Sequence, residues 1–156
     1  MKLQSNISKS FPKKSLGQNF IQNKDFILKL STLIQSDNDT NIFEIGPGMG
    51  ALTNQLIKKK FKNLYLIEKD FLLFQKLEDR FKNDKNIFVF NDDALDFNYE
   101  VINKNQKSLI IGNLPFNISS QLLINWIVNY KWPPFYSKMI LMFQKEVANR
   151  IISRHN

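Results

Sequence analysis

The chain has 156 residues, of which 22 are Lys or Arg and 14 are Asp or Glu, so its formal net charge is +8. The absence of Cys excludes a disulfide scaffold, a thiolate zinc site and a Cys nucleophile, and the single His, His155, argues against a His-based metal cluster or catalytic triad. Hydrophobic residues make up 43% of the chain but form no run near the roughly 20 residues of a membrane span, so we expect one globular, cytoplasmic domain without a metal or a membrane anchor.

Helices and strands alternate along the chain after a basic arm at residues 1–15. In chain order, apolar periodicity predicts a helix at 23–36, a strand at 42–45, a helix at 52–60, a strand at 63–68, a helix at 70–82, strands at 86–91 and 108–112, a helix at 119–130, a strand at 138–143 and a helix at 144–153. This alternation of apolar strands with helices favours an α/β fold with a doubly wound, parallel, Rossmann-like sheet. Such sheets bind ligands at the carboxyl ends of their strands, so we expect the chemistry in the loops that follow them.

A glycine loop follows the first strand, in the segment Glu44-Ile-Gly-Pro-Gly-Met-Gly. Gly46 and Gly48 allow a tight turn and a close approach of the backbone to a ligand, so the loop predicts a site for a nucleotide-like cofactor. The segment also satisfies a loose dinucleotide fingerprint, although Pro47 removes an N–H donor and therefore favours a ligand without phosphates. The alternative is a glycine turn that binds nothing.

Acidic residues follow the second and third strands. Glu68 ends the second strand, where its carboxylate can accept hydrogen bonds from both ribose hydroxyls of an adenosine, unless it is an exposed acid paired with Lys69. Asp93 follows the third strand, where a carboxylate can accept the exocyclic amine of a bound adenine, unless it is an ordinary loop acid. We interpret Asp70 as the N-cap of the next helix and Asp92 as a loop acid.

The segment after the fourth strand is the most discriminating one and consists of Asn113, Leu114, Pro115 and Phe116. An aromatic exocyclic amine is a poor nucleophile, and two acceptors that bind its hydrogens localise its lone pair. The side-chain oxygen of Asn113 and the carbonyl of Leu114 can be those acceptors, in a turn that Pro115 stiffens. Phe116 can stack on the base, and direct displacement at a sulfonium methyl group then needs positioning but no general base. A plain Asn-x-Pro turn is the alternative.

With these loops, the chain resembles the ribosomal RNA adenine N6-dimethyltransferase family. The matching segments are 14–21 (KSLGQNFI), 44–53 (EIGPGMGALT), 67–68 (IE), 93–95 (DAL), 112–119 (GNLPFNIS) and 141–150 (LMFQKEVANR). The resemblance implies S-adenosylmethionine as the cofactor and small-subunit rRNA as the substrate, in which two adjacent adenosines near the 3′ end are typically dimethylated.

The resemblance also assigns roles to single residues. It implies that Asn19 and Ile21 line the cofactor entrance, that Gly46 contacts the methionine part, Glu68 the ribose and Asp93 the adenine, and that Asn113 lies at the methyl-transfer centre. One departure is Phe116, where the family often has Tyr, and stacking survives that change.

A larger departure concerns length. Members of the family have two more strands and a helical C-terminal domain, whereas this sequence ends at Asn156. We therefore expect residues 16–156 to form an incomplete methyltransferase domain. Its fifth strand would be an open edge. We expect its cofactor site to be competent, its stability to be poor and its RNA binding to be weakened.

The positive charge makes nucleic acid the first partner to test. Candidate phosphate contacts are the lysines of the arm and of one later run, namely Lys2, Lys9, Lys13, Lys14, Lys58, Lys59, Lys60 and Lys62. We expect a monomer that binds rRNA or the small ribosomal subunit. Alternative functions are a large-subunit rRNA or DNA adenine methyltransferase, a non-catalytic RNA-binding assembly or transcription factor on the same fold, and a nicotinamide oxidoreductase.

Overall fold

The fold is a five-stranded, fully parallel sheet with helices on both faces. In the computed structural model, which describes residues 23–104, 106–114, 117–129 and 132–153, the strands lie in the order β3-β2-β1-β4-β5. The elements are α1 (Lys24–Thr32), β1 (Asn41–Ile45), α2 (Thr53–Leu56), β2 (Leu64–Ile67), α3 (Phe71–Phe81), β3 (Ile87–Phe90), α4 (Tyr99–Asn103), β4 (Ser108–Asn113), α5 (Ser119–Ile124) with a π-helical turn (Asn125–Asn129), β5 (Lys138–Met142) and α6 (Lys145–Ile152). The predicted α/β class and parallel sheet are confirmed, and β5 lies at an edge of the sheet.

Each face of the sheet has its own apolar core. Alternate strand residues such as Ile42 and Leu66 point to the face that α1, α2 and α3 cover. Their neighbours Phe43 and Ile67 point to the opposite face, where Trp126 of the π-helical turn packs. Because both faces are covered, the three central strands are buried along most of their length, as their nearly continuous apolar sequences indicate.

Side chains cap the starts of three described helices, α1, α3 and α4, and in α4 the Asn98 side chain accepts a hydrogen bond from the Val101 N–H. The Asn23 side chain accepts a hydrogen bond from the Phe26 N–H at the start of α1. At the start of α3, Asp70 Oδ1 accepts hydrogen bonds from the N–H groups of Leu72 and Leu73 at 2.9 and 3.3 Å. The predicted capping role of Asp70 is therefore confirmed.

The helices differ from the prediction in several places. The helix predicted at 52–60 is only four residues long, and the helix predicted at 119–130 changes to a π-helical turn after Ile124. The short helix α4 was missed because five residues are too few for a periodic signal. None of the described helices has the length and apolar character that crossing a bilayer requires.

Candidate active site

The loops after the first, second and fourth strands meet at the carboxyl edge of the sheet. Ile45 of β1 pairs with Ile67 of β2 on one side and with Gly112 of β4 on the other. Gly46 and Glu68, which follow β1 and β2, therefore lie near Asn113, the last residue of β4. The prediction that the chemistry-bearing loops share one edge agrees with this register.

The glycine loop turns through three left-handed positions. Gly46, Gly48 and Gly50 have φ angles of 62°, 59° and 77°, which residues with a side chain rarely adopt. At Gly50 an added Cβ would also lie 3.3 Å from Nη1 of Arg80. The backbone path of this loop thus depends on glycine.

Glu68 fastens this loop to the neighbouring strand. Its Oε2 accepts a hydrogen bond from the Gly48 N–H at 3.0 Å, and its Oε1 accepts one from the Asp70 N–H at 2.9 Å. The residue is only 5% exposed, and burial raises the pKa of its carboxyl group. An exposed acid paired with Lys69 is therefore not what the chain forms. Glu68 holds the turn, and each of its oxygens keeps a further lone pair for a ligand.

Lys69 instead pairs with Asp93, across the ends of the second and third strands. The ammonium group lies 2.5 Å from Asp93 Oδ2, while Oδ1 accepts a hydrogen bond from the Leu95 N–H at 3.0 Å. Partial burial opposes the ionisation of Asp93. The hydrogen bonds from Lys69 and Leu95 outweigh it, so the pKa of this carboxyl group lies below its usual value. A half-buried carboxylate thus stays charged one strand away from Glu68.

Glu44, which lies inside β1, has a role that the sequence did not predict. Its side chain is 1% exposed beneath the glycine loop, and its Oε2 accepts a 2.8 Å hydrogen bond from the hydroxyl of Thr53. Burial raises the pKa of this carboxyl group to about 8, and the nearby charge of Glu68 adds to the effect. An acid within an otherwise apolar strand was the available signal. The hydrogen bond between Glu44 and Thr53 connects the start of α2 to the sheet.

The end of β4 contributes Asn113 and Leu114. Asn113 is partly exposed at the edge, whereas Leu114 is buried in the core with Phe43 and Leu122. The backbone at Gly112 lies so close to β1 that an added Cβ would be 2.7 Å from the carbonyl oxygen of Ile45. The close contact with β1 therefore fixes the position of the last residues of β4 relative to the glycine loop.

Several predicted residues fall elsewhere. Pro115, Phe116, Asn19, Ile21, Lys13 and Lys14 lie outside the described residues, as do Lys2 and Lys9. Lys58 and Lys59 follow α2 at the opposite edge of the sheet, where the strands begin, so the structure does not bring them together with Glu68 and Asn113. Their predicted contact with RNA stays a prediction.

The hydrogen-bonding groups of this edge fit one class of ligand. Two carboxylates, Glu68 and Asp93, beside the glycine turn can accept hydrogen bonds from hydroxyl and amine groups, but they would repel a phosphate placed between them. The arrangement therefore favours an adenosine-like group without phosphates. Among the described residues no group of three or more His, Cys, Asp or Glu side chains could hold a metal ion.

Comparison with known proteins identifies the family. The family model described as ribosomal RNA adenine dimethylase matches residues 10–156. The chain belongs to this family. The predicted family resemblance is confirmed, and with it the Rossmann-like methyltransferase fold.

Members of the dimethylase family are similar to the chain over most of its length. The chain is 44% identical to the ribosomal RNA small subunit methyltransferase A of Pelagibacter ubique over 144 residues. The matched region covers 92% of the chain and 53% of that protein. The protein of the same description from Nitrobacter winogradskyi is 38% identical over 147 residues, or 92% of the chain and 50% of that protein. The crystal structure of a dimethyladenosine transferase from Plasmodium falciparum superposes with a TM-score of 0.73 at 25% identity, over 87% of the chain and 47% of that structure. The chain spans about half the length of the curated relatives it matches.

Proposed function

We propose that this chain holds the methyl-transfer centre of an S-adenosylmethionine-dependent rRNA adenine N6-dimethyltransferase. Its substrate would be the small ribosomal subunit, most typically two adjacent adenosines near the 3′ end of its rRNA, and its role ribosome biogenesis. Family membership and the names of the bacterial relatives support the reaction class and the RNA class. We place the reaction in the cytoplasm, with the enzyme acting as a monomer.

The observation that carries the proposal is the order of polar groups along the carboxyl edge. From β3 to β4 the edge presents Asp93, then Glu68, then the glycine loop, then Asn113. Adjacent strands are about 4.8 Å apart, so this row spans roughly 14 Å. Asp93 would accept from the adenine, Glu68 from the ribose, and the glycine loop would lie against the methionine part. Asn113 would lie beside the methyl group. This is the order in which S-adenosylmethionine connects those parts.

The residues of the chain would then bind and orient two reactants. Glu68 and Asp93 would bind the ribose and adenine of the cofactor, and Gly46 and Gly48 would let its methionine part approach the backbone. By the family resemblance, Asn19 and Ile21, which lie outside the described residues, would line the cofactor entrance. When bound, S-adenosylmethionine would supply an electrophilic methyl group on a sulfonium.

Asn113 and Leu114 would activate the nucleophile. Their oxygens would accept the two N6 hydrogens of the target adenine, which would localise the lone pair on N6. Pro115 and Phe116, which lie outside the described residues, would stiffen the turn and stack on the base. S-adenosylmethionine, held by Glu68, Asp93 and the glycine loop, would supply the methyl carbon to N6 and would leave as the thioether with the electron pair of the broken carbon–sulfur bond. The methylated nitrogen then loses one proton to water, so no side chain needs to act as a general base.

Methyl transfer to isolated small subunits tests the proposal. The full chain is incubated with subunits that lack these methyl groups and with S-adenosylmethionine labelled in the methyl group. Digestion and mass spectrometry of the rRNA should then find N6,N6-dimethyladenosine near the 3′ end. Label in large-subunit rRNA would reassign the substrate, and subunit binding without label would identify a non-catalytic factor.

Cofactor binding provides an independent control for that assay. Isothermal titration should detect binding of S-adenosylmethionine to the chain and no comparable binding of NAD. Absence of S-adenosylmethionine binding would contradict the proposal at its first step, whereas binding without transfer would locate the defect in RNA recognition.

A further inference from the structure

Charge is unevenly distributed between the two edges of the sheet. The carboxyl edge, which includes Glu68, Asp70, Asp92 and Asp93, is mainly acidic. The opposite edge, where the strands begin, is mainly basic, and four of the six residues at 57–62 are lysines. The edge that would perform the chemistry is thus not the one that attracts a polyanion.

The basic edge is assembled from loops that hydrogen bonds hold together. The Lys62 N–H donates to the Thr40 carbonyl oxygen at 2.8 Å, and the Ser36 hydroxyl donates to the Lys60 carbonyl oxygen at 2.5 Å. The Lys138 ammonium donates to the carbonyl oxygen of Leu33 at 2.8 Å. The segment that precedes β1 is therefore tied to the loop that precedes β2 and to the first residue of β5.

We name the exposed cations of this edge the amino-edge lysines. They extend from the loop before β3 to the first residue of β5 and are Lys58, Lys60, Lys62, Lys85, Lys107 and Lys138. With strands about 4.8 Å apart, the row is roughly 19 Å long. An extended row of this length matches the repeating phosphates of a nucleic-acid backbone better than it matches a compact anion.

Most of this charge is not neutralised within the protein. Lys107 forms an ion pair with Asp37, 2.9 Å from Nζ to Oδ2. Lys58 donates to the neutral side chain of Gln55. Among the described residues, Lys60 and Lys62 form no ion pair and are exposed to solvent. They are the cations with most to gain from a phosphate.

We propose that the amino-edge lysines bind the phosphate backbone of an RNA helix at a surface separate from the methyl-transfer loops. The five residues of β1 put about 16 Å between the two edges, so the nucleotide that contacts Asn113 cannot also contact Lys62. Lysines act on phosphates as point charges and read no base, so the contact is independent of RNA sequence. The inference rests on the proposed RNA substrate and adds a second docking surface to it.

Binding of a non-substrate RNA tests this surface. The probe is a fluorescently labelled RNA duplex of G·C pairs, which offers no adenine, and anisotropy is measured over a range of salt concentrations without cofactor. The test variant is Lys60→Gln/Lys62→Gln. The matched control, Lys24→Gln/Lys76→Gln, removes two exposed lysines from α1 and α3. Far-UV circular dichroism confirms that each variant is folded.

We expect the slope of log affinity against log salt to fall by about two in the test variant, since each lost phosphate contact removes about one unit. The control should keep most of the wild-type slope. An unchanged slope in Lys60→Gln/Lys62→Gln, or a loss equal to that of the control, would overturn the inference.

The two proposals fail in different assays. If methyl transfer to small subunits is absent while the test variant alone loses affinity for the duplex, the docking surface stands and the proposed reaction does not. If transfer occurs while the test variant binds the duplex as the control does, the reaction stands and the docking surface is refuted.

Discussion

The carboxyl group of Glu44 and the hydroxyl of Thr53 form a buried hydrogen bond of 2.8 Å that joins the end of β1 to the start of α2. The glycine loop lies between these two residues, so the bond closes the base of the loop. No side chain caps α2 by a hydrogen bond, and Leu52 occupies its N-cap position. The position of this helix therefore depends on the contact with Glu44.

Glu44 should make the stability of the protein depend on pH. Its usual pKa is near 4.5 and burial raises it to about 8, so the folded chain holds a proton that the unfolded chain releases between these values. The free energy of unfolding therefore contains a contribution that is present below pH 4.5 and is lost as the pH rises to about 8. Its size is on the order of a few kcal/mol.

The variant Glu44→Gln isolates that contribution, because glutamine cannot ionise. Urea unfolding between pH 5 and 9 should show the variant gaining stability relative to the wild type as the pH rises, with the difference constant above about pH 8. The control Asp92→Asn replaces an exposed acid and should follow the wild type. A pH-independent difference for Glu44→Gln would show that Glu44 is charged throughout.

Glu68→Gln should weaken cofactor binding. An amide has one acceptor oxygen, so either the Gly48 or the Asp70 N–H would lose its partner, at a cost of about 1–3 kcal/mol. We expect the Kd for S-adenosylmethionine to rise at least tenfold in isothermal titration. Asp92→Asn again provides the control, since its amide oxygen can still accept from the Asp93 N–H. Equal affinity of both variants would contradict the role of Glu68.

The arrangement of these loops could be predicted because it follows from short-range patterns. Apolar runs predicted the strands, and the parallel sheet then brought Gly46, Glu68 and Asn113 to one edge. The partners of those residues could not be predicted. Lys69 pairs with Asp93, 24 positions away, and sequence neighbours alone had suggested Glu68 instead.

Helix faces show a similar limit. Phe71, Phe74, Leu77 and Phe81 are spaced by three and four as in one face of a helix, but Phe71 is 56% exposed and Leu73 is buried instead. The rings of Phe71 and Phe74 contact each other at the surface, with centroids 6.1 Å apart. Whether Phe71 or Leu73 faces the sheet depends on the rotation of α3 about its axis, which the spacing alone does not fix.

Gly112→Ala should destabilise the fold. The added Cβ would lie 2.7 Å from the carbonyl oxygen of Ile45, and a backbone atom between two paired strands cannot move aside cheaply. We expect the free energy of unfolding to fall by about 1–3 kcal/mol. Asn117→Ala, an exposed loop position in the next turn, should leave it nearly unchanged. Equal urea midpoints for both variants would show that β4 has room to shift.

Lys69→Gln should make cofactor binding sensitive to acid. The lysine helps to hold the pKa of Asp93 below its usual value, so its removal raises that pKa and lets Asp93 protonate at a higher pH. The variant should lose affinity for S-adenosylmethionine at a higher pH than the wild type as the pH is lowered. Lys76→Gln, on the exposed face of α3, is the control. Parallel pH profiles for all three proteins would mean that Lys69 does not act on Asp93.

Asn113→Ala should separate catalysis from cofactor binding. The substitution removes one of the two acceptors proposed for the N6 hydrogens, and loss of one preorganised hydrogen-bonding group at a reacting centre typically costs about 100-fold or more in rate. Transfer of labelled methyl groups to small subunits should fall by at least that factor, while the Kd for S-adenosylmethionine changes little. Gln121→Ala, which alters an exposed side chain on α5, should leave both quantities unchanged. Turnover by Asn113→Ala at the wild-type rate would refute the role of Asn113, and a parallel loss of cofactor affinity would move it from the nucleophile to the cofactor.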